Sequence, residues 1–305
     1  MSPATTSSII SGIGDDCSLL RIPPRHEVLV TTDLSLEGVH FKREWHSAEN
    51  IGHRCLARGL SDIAAMGGEP LAAFLSLGLP RELKQDWVDG FMRGLLKLAR
   101  RFGVQLAGGD TAQAPGNIVA DIVVLGSVPR GRAILRSGAR PGDRIYVTGE
   151  LGASAAALKL LYSGNQPPPS LYRRHAAPEP RIAIGKILRE RRLASAMIDL
   201  SDGLSTDLAH ICEESGVGAE IAEQSIPRTR LAKGAHPVSV DNALHGGEDY
   251  ELLFTSSKSV PRTIDGVKIS EIGRISRGHV IKLLTPSGSR QKLASLGWEH
   301  FQKRR

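Results

Sequence analysis

Five short segments place carboxylates beside glycine, serine or threonine: GIGDDCSLL (12–20), TTDLSLEGVHF (31–41), LSDIAAMG (60–67), AGGDTA (107–112) and IDLSDGLSTDL (198–208). Hard oxygen ligands next to short side chains suit Mg²⁺, which keeps several waters and bridges substrate phosphates. Small neighbours also let a polyphosphate approach the main chain closely. Taken singly, each aspartate reads first as a turn former or a helix cap. Taken together they would repel, since two unit charges 4 Å apart cost about 4 kcal/mol at an effective dielectric of 20. They converge only where divalent cations neutralise them. Five such segments in one chain therefore make phosphate chemistry on Mg²⁺ the expectation.

The details narrow the candidates. Asp15 and Asp16 are adjacent, and in extended chain their side chains point oppositely, so one of the two faces a metal. Arg54, Arg58 and Asp62 follow at i, i+4 and i+8 along one helical stripe, where the default role of an arginine is an i,i+4 ion pair worth a few tenths of a kcal/mol. Asp199 and Asp202 flank Ser201 just where a helix should begin. Free N–H groups there favour phosphate oxygens, and Ser201 as a plain N-cap accounts for the same residues. His40 alone reads as a packed or surface residue, Glu248 and Asp249 in GGEDYELLF fit a hairpin turn equally well, and Trp298 fits a core. The chain has no Walker A pattern and no kinase glycine-rich loop.

The elements that must position these residues alternate. Residues 27–33 read as a strand ending on Asp33, and 49–66 as a helix with Ile51, Cys55, Leu56, Leu60 and Ile63 in one apolar stripe. A strand at 71–79, a helix at about 84–101, a short strand at 104–110 running into a glycine turn and a strand at 117–128 follow. The pattern restarts near 138 with a turn at Pro141–Asp143, the strand IYVTG, a loop at Gly149–Gly152 and an Ala-rich helix. SGNQPPPS (163–170) reads as an exposed connection. A helix near 180–192, a strand at 196–200, a helix at about 202–214 and several strands between 218 and 284 complete the chain. The expectation is an α/β protein of two domains, 1–137 and 138–305, each a mixed sheet with packed helices.

Composition sets the outer limits. The 305 residues are 41% hydrophobic and 23% charged, with 33 glycines and only 4% aromatics, which excludes wholesale disorder and fits aliphatic packing with many tight turns. No apolar run approaches the ~20 residues needed to cross a bilayer. Arg21 is the first basic residue, so a secretory n-region is not expected. Cys17, Cys55 and Cys212 are widely spaced without a CxxC pair, which argues against a disulfide framework or structural zinc. A cytoplasmic enzyme is expected. The net charge of +7 is dispersed, with small groups at Arg189–Arg192 and Lys303–Arg305, so neither nucleic acid nor membrane is expected as a partner.

The ordered set GIGDD, TTD…EGVHF, LSDIAAMG, GGDT, RSGARPGD, VTG, IDLSDGL and GGEDYEL resembles the thiamine-monophosphate kinase family over about residues 12–301. That family lies in the superfamily that includes aminoimidazole ribonucleotide synthetase, selenophosphate synthetase and a hydrogenase maturation factor. The resemblance implies two α/β domains of the aminoimidazole ribonucleotide synthetase type and a homodimer built through the N-terminal domains. It also implies transfer of the ATP γ-phosphoryl group to thiamine monophosphate. Carried across by motif, Asp16, Thr31, Thr32, Asp33, Asp62, Asp110, Asp199 and Asp202 would be metal ligands. Gly109, Arg136 and Ser201 would hold ATP, while His40, Glu248 and Trp298 would contact the thiamine phosphate, Trp298 by stacking.

Alternatives within the superfamily are weaker. Cys17 follows GIGDD and does not lie in the glycine-rich loop of selenophosphate synthetases, and IDLSDGL with GGEDYEL argues against the aminoimidazole ribonucleotide branch. A non-catalytic nucleotide-binding protein is the alternative of another class. Two departures from the family stand out. Only eleven residues precede Gly12, where the family carries a helix, and Gly59 replaces an asparagine before Leu-Ser-Asp.

Overall fold

The computed structural model describes residues 8–230 and 236–298, so the basic group at Lys303–Arg305 lies outside the described residues. The chain forms two compact units, Met1–Ile63 with Gly68–Ala133, and Ala64–Gly67 with Ile134–Arg305.

Unit 1 contains β1 (Ile9–Ser11), β2 (Leu19–Leu20), β3 (His26–Leu36), α1 (Ala48–Ala65, its last two residues in unit 2), β4 (Glu69–Leu79), α2 (Gln85–Arg101), β5 (Gln105–Gln113) and β6 (Val119–Pro129). β1 and β2 pair as a short antiparallel ribbon. The other four strands form a sheet in the order β3-β6-β4-β5, antiparallel except for the β4–β5 pair. The apolar stripe of α1 is the reason for its position: Ile51, Cys55, Leu56, Leu60 and Ile63 are each at most 1% exposed. Alternation along β3 buries Leu29 and Ser35 on one face and leaves Val28, Val30 and Leu34 exposed on the other.

Two sequence expectations change here. β3 continues three residues past Asp33, so that carboxylate stands within a strand and not at its end. β5 also runs straight through the glycines, with a bulge at Leu106–Gly108. Gly109 makes this possible: its φ is +147°, and a Cβ there would sit 1.9 Å from the Leu75 carbonyl oxygen.

Unit 2 contains β7 (Arg144–Thr148), α3 (Ala153–Tyr162), α4 (Pro169–Ala176), α5 (Ile182–Glu190), β8 (Ala196–Asp199), α6 (Leu204–Ser215), β9 (Gly218–Ala222), α7 (Val240–His245), β10 (Leu252–Ser256), β11 (Thr263–Ile264), β12 (Val267–Ser276), β13 (Ile281–Leu284) and β14 (Arg290–Lys292). Its sheet runs β14-β13-β9-β12-β7-β10-β8, with β11 beside β12 and a single parallel pair, β13–β9. Both faces are covered, and β10 and the edge strand β8 are buried at every position. The stretch read as a pure connection ends in α4, which starts with Pro169 at its first turn, where a missing N–H costs nothing. Among the described residues no helix is long and apolar enough to cross a membrane.

Candidate active site

In unit 1 the period of β3 sets the site. Thr31 and Asp33 project toward α1, whereas Thr32 projects to the opposite face and is exposed. The Thr31 hydroxyl donates to Asp62 Oδ2 on α1. One turn earlier, Arg58 reaches Asp33 Oδ1 at 3.2 Å and donates to the Leu34 carbonyl at 2.7 Å. Asp33 Oδ2 is buried and has no hydrogen-bond partner. Burial pushes the Asp33 carboxyl up to about 6; Arg58 opposes the shift, and the nearby Asp62 and Asp121 reinforce it. Asp121 was missed in the sequence, where it lies in an ordinary strand pattern without a glycine beside it. α1 comes this close because of Gly59, where a Cβ would fall 2.6 Å from Val124 Cγ2 on β6.

Asp16, Gly109 and Asp110 line an open cleft of about 680 Å³, together with Asp15, Cys17 and Thr111. Asp110 turns one oxygen back onto the Thr111 N–H at 2.8 Å. By register, Gly109 pairs with Leu75, Leu75 with Ile122, and Ile122 with Asp33. Three strand spacings, about 14 Å, therefore separate the main chains at Gly109 and Asp33. The acidic residues of unit 1 form two sets on one sheet. His40 borders a third feature, a cavity of about 10 Å³ shared with Ser35, Arg54 and Arg58, and accepts the Leu36 N–H on Nδ1 at 3.0 Å.

In unit 2 three chain segments meet. β8 ends on Asp199, which is 4% exposed, and the following residues run beside 246–251. Glu248 N–H donates to the Ser201 carbonyl at 2.8 Å, Tyr250 N–H to Leu200 at 2.9 Å, and Leu200 N–H to Glu251 at 2.8 Å. Glu248 and Tyr250 adopt φ of 65° and 51°, a left-handed backbone that non-glycine residues rarely take. Trp298 N–H donates to the Asp202 carbonyl at 3.1 Å, and its ring is half exposed. Ser201, Asp202, Glu248 and Trp298 are thus brought together, which neither a hairpin nor a core tryptophan would have required.

Ser201 is not the helix cap. α6 starts after Gly203, and its first turn supplies the stabilising group instead: Asp207 Oδ2 accepts from Asp202 N–H at 3.2 Å and Gly203 N–H at 3.0 Å. Burial, together with Asp199 and Asp202, raises the Asp207 carboxyl well above its ordinary value. Asp202, Asp207 and His210 each bring a ligand atom within 4.8 Å of the others. The i,i+3 spacing of Asp207 and His210 just after Asp202 was the available signal. Arg136 stands apart. It is exposed, and its carbonyl accepts from Ser215 at the C-terminal end of α6, whereas Asp202 lies at the N-terminal end. Twelve residues of helix, about 18 Å, separate them.

These features define a class. Residues 14–128 match the model for AIR synthase related protein, N-terminal domain, and 140–261 that for AIR synthase related protein, C-terminal domain. The thiamine-monophosphate kinase of Salmonella typhimurium is 42% identical over 274 residues, 86% of this chain and 81% of the relative. The crystal structure of thiamine-monophosphate kinase from Stenotrophomonas maltophilia K279a superposes with a TM-score of 0.81 at 35% identity, covering 93% of this chain and 92% of that one. The complex of AaThiL with AMPPCP and TMP also gives 0.81, at 33% identity over 92% of this chain and 89% of that one. The chain belongs to the thiamine-monophosphate kinase family and is an enzyme of the phosphotransferase class.

Proposed function

We propose that the chain transfers the γ-phosphoryl group of ATP to thiamine monophosphate, giving thiamine diphosphate and ADP, by direct in-line displacement that requires Mg²⁺. The observation that carries the metal requirement is Asp33: a buried carboxylate oxygen without a partner, with Asp62 and Asp121 close enough to raise its pKa. A hard divalent cation fits that oxygen-only set. Bound there, Mg²⁺ would supply charge neutralisation at the phosphates.

The acceptor is a phosphate monoester with a second pKa near ~6, already mostly a dianion at neutral pH. No side chain need remove a proton. The protein's task is to hold two anions in line, and its residues divide accordingly. Within unit 1, Asp16, Thr31, Asp33, Asp62 and Asp110 hold metal, and Thr32 joins them through its main chain, since its side chain faces the other way. Gly109 leaves room for the nucleotide and His40 contacts the thiamine phosphate. Within unit 2, Asp199 and Asp202 hold metal, Ser201 meets ATP, and Glu248 and the half-exposed ring of Trp298 take the thiamine end. Arg136 stays with the nucleotide on the family resemblance alone.

We further propose a homodimer formed through unit 1, supported by the exposed apolar row Val28, Val30 and Leu34 on β3. A cytoplasmic location is supported by three free cysteines. Mg²⁺-dependent ADP release tested with thiamine monophosphate, thiamine and formylglycinamidine ribonucleotide separates the readings. Stimulation by thiamine monophosphate alone is expected; stimulation by the ribonucleotide, or by none, rejects the assignment. A labelled protein–phosphate adduct during single turnover would reject direct transfer.

A further inference from the structure

Arg58 is placed where a cation matters most. It projects from α1 one turn before Asp62, and its guanidinium is held from two sides, by Asp33 Oδ1 at 3.2 Å and by the Leu34 carbonyl at 2.7 Å. Both side chains of the ion pair are mostly buried, 17% exposed for Arg58 and 20% for Asp33, so solvent screens the contact only in part. The Thr31 hydroxyl occupies Asp62 Oδ2 in the same way. Each of the two carboxylates thus has one oxygen already engaged by the protein, and at Asp33 the remaining oxygen is buried without a partner. A divalent cation taking Asp33 Oδ2 would share a single carboxylate with a fixed positive charge. Arginine does not deprotonate to relieve that repulsion.

We propose that Arg58 is a built-in counter-ion to Asp33, one that steadies the metal-free fold and lowers the affinity of this carboxylate for free divalent cation. The inference rests on the proposed metal role of Asp33 and adds to it a residue of this chain that sets how tightly the ion is held. A cation is then retained at Asp33 chiefly when other anionic groups, such as nucleotide phosphates, add their charge.

The test is isothermal titration calorimetry with Mg²⁺ alone on wild type and Arg58→Gln, which keeps a donor for the Leu34 carbonyl but no charge. The component to follow is the one that Asp33→Asn removes. In Arg58→Gln it should tighten by roughly three- to tenfold, and in the Arg58→Gln/Asp33→Asn double variant the gain should vanish. Unchanged or weaker Mg²⁺ binding by folded Arg58→Gln overturns the proposal, as does a gain that survives in the double variant. If Arg58→Gln is unfolded in chelator, recovery of a cooperative melt on adding Mg²⁺ supports it, because the ion replaces the missing charge; failure to refold at saturating Mg²⁺ contradicts it. Wild type without an Asp33-dependent Mg²⁺ component would defeat the metal assignment itself, a different outcome from wild-type binding that Arg58→Gln leaves unaltered.

Discussion

Two carboxylates, the buried Glu251 in one unit and the half-buried Asp33 in the other, are treated in opposite ways. Glu251 has both oxygens engaged, by the forked guanidinium of Arg181 and by the Thr148 hydroxyl, and its side chain is 5% exposed. Asp33 has one oxygen on Arg58 and the other on nothing. Neighbouring Asp249 follows Glu251, accepting from Gly152 N–H at 2.7 Å at the start of α3. A carboxylate whose lone pairs are filled by the protein holds a loop in shape, here the strained 246–251 turn that presents Glu248. A carboxylate left partly open within a set of like charges is a place for a ligand.

The contrast is sharpest in the response to losing the charge. Asp33→Asn should lower turnover by about 10³-fold or more, as expected when a group that neutralises transition-state charge is lost. The same variant should melt a few degrees higher than wild type in metal-free buffer at pH 8, because desolvation and the nearby carboxylates make the ionised Asp33 cost the fold more than its pairing with Arg58 returns. Steady-state kinetics and a thermal melt with chelator check both halves, and unchanged turnover rejects the ligand role.

Glu251→Ala should do the reverse. It strands Arg181 beside an emptied pocket and should cost about 3–5 kcal/mol of stability, read from denaturant midpoints. A loss below about 1 kcal/mol would erase the distinction between the two carboxylates. Beside Asp202, Trp298→Ala should raise KM for thiamine monophosphate by roughly three- to tenfold while leaving KM for ATP nearly unchanged. Equal changes in both would remove the stacking role.

The smallest effect is in pH. Burial lifts Asp33 to about 6 and Asp249 to about 7. Between pH ~4 and ~7 the folded protein keeps protons that the unfolded chain has released, so stability falls as pH rises. The metal-free protein should lose a few degrees of melting temperature across that range, and Asp33→Asn should flatten part of the slope. A stability that rises with pH over the same window in both proteins would contradict the placement of these groups.

Much of this was legible in the chain. The apolar stripe of 49–66 located α1, and the carboxylate segments singled out Asp33, Asp62, Asp110, Asp199 and Asp202 as candidates because small residues mark where a main chain must stay open. What was not legible depended on pairing across distance. Nothing near Arg58 in sequence indicates Asp33, which comes from a strand 25 residues earlier and meets it only because Gly59 lets α1 settle on Val124. Helix-local reasoning pointed Arg58 at its own helix instead. Ser201 looked like a cap because hydroxyls often are; the helix is capped from within by Asp207, a device visible only once the turn at Gly203 is formed. Prolines at 167–169 masked α4 because a proline at a first turn and a proline in a loop look alike in sequence.

The most direct test of the central claim is a stoichiometric one on the wild-type chain. Thiamine monophosphate and ATP should yield thiamine diphosphate and ADP mole for mole in Mg²⁺, and neither product once the cation is chelated. Thiamine diphosphate formed equally well in chelator, or ADP released without it, would contradict the account.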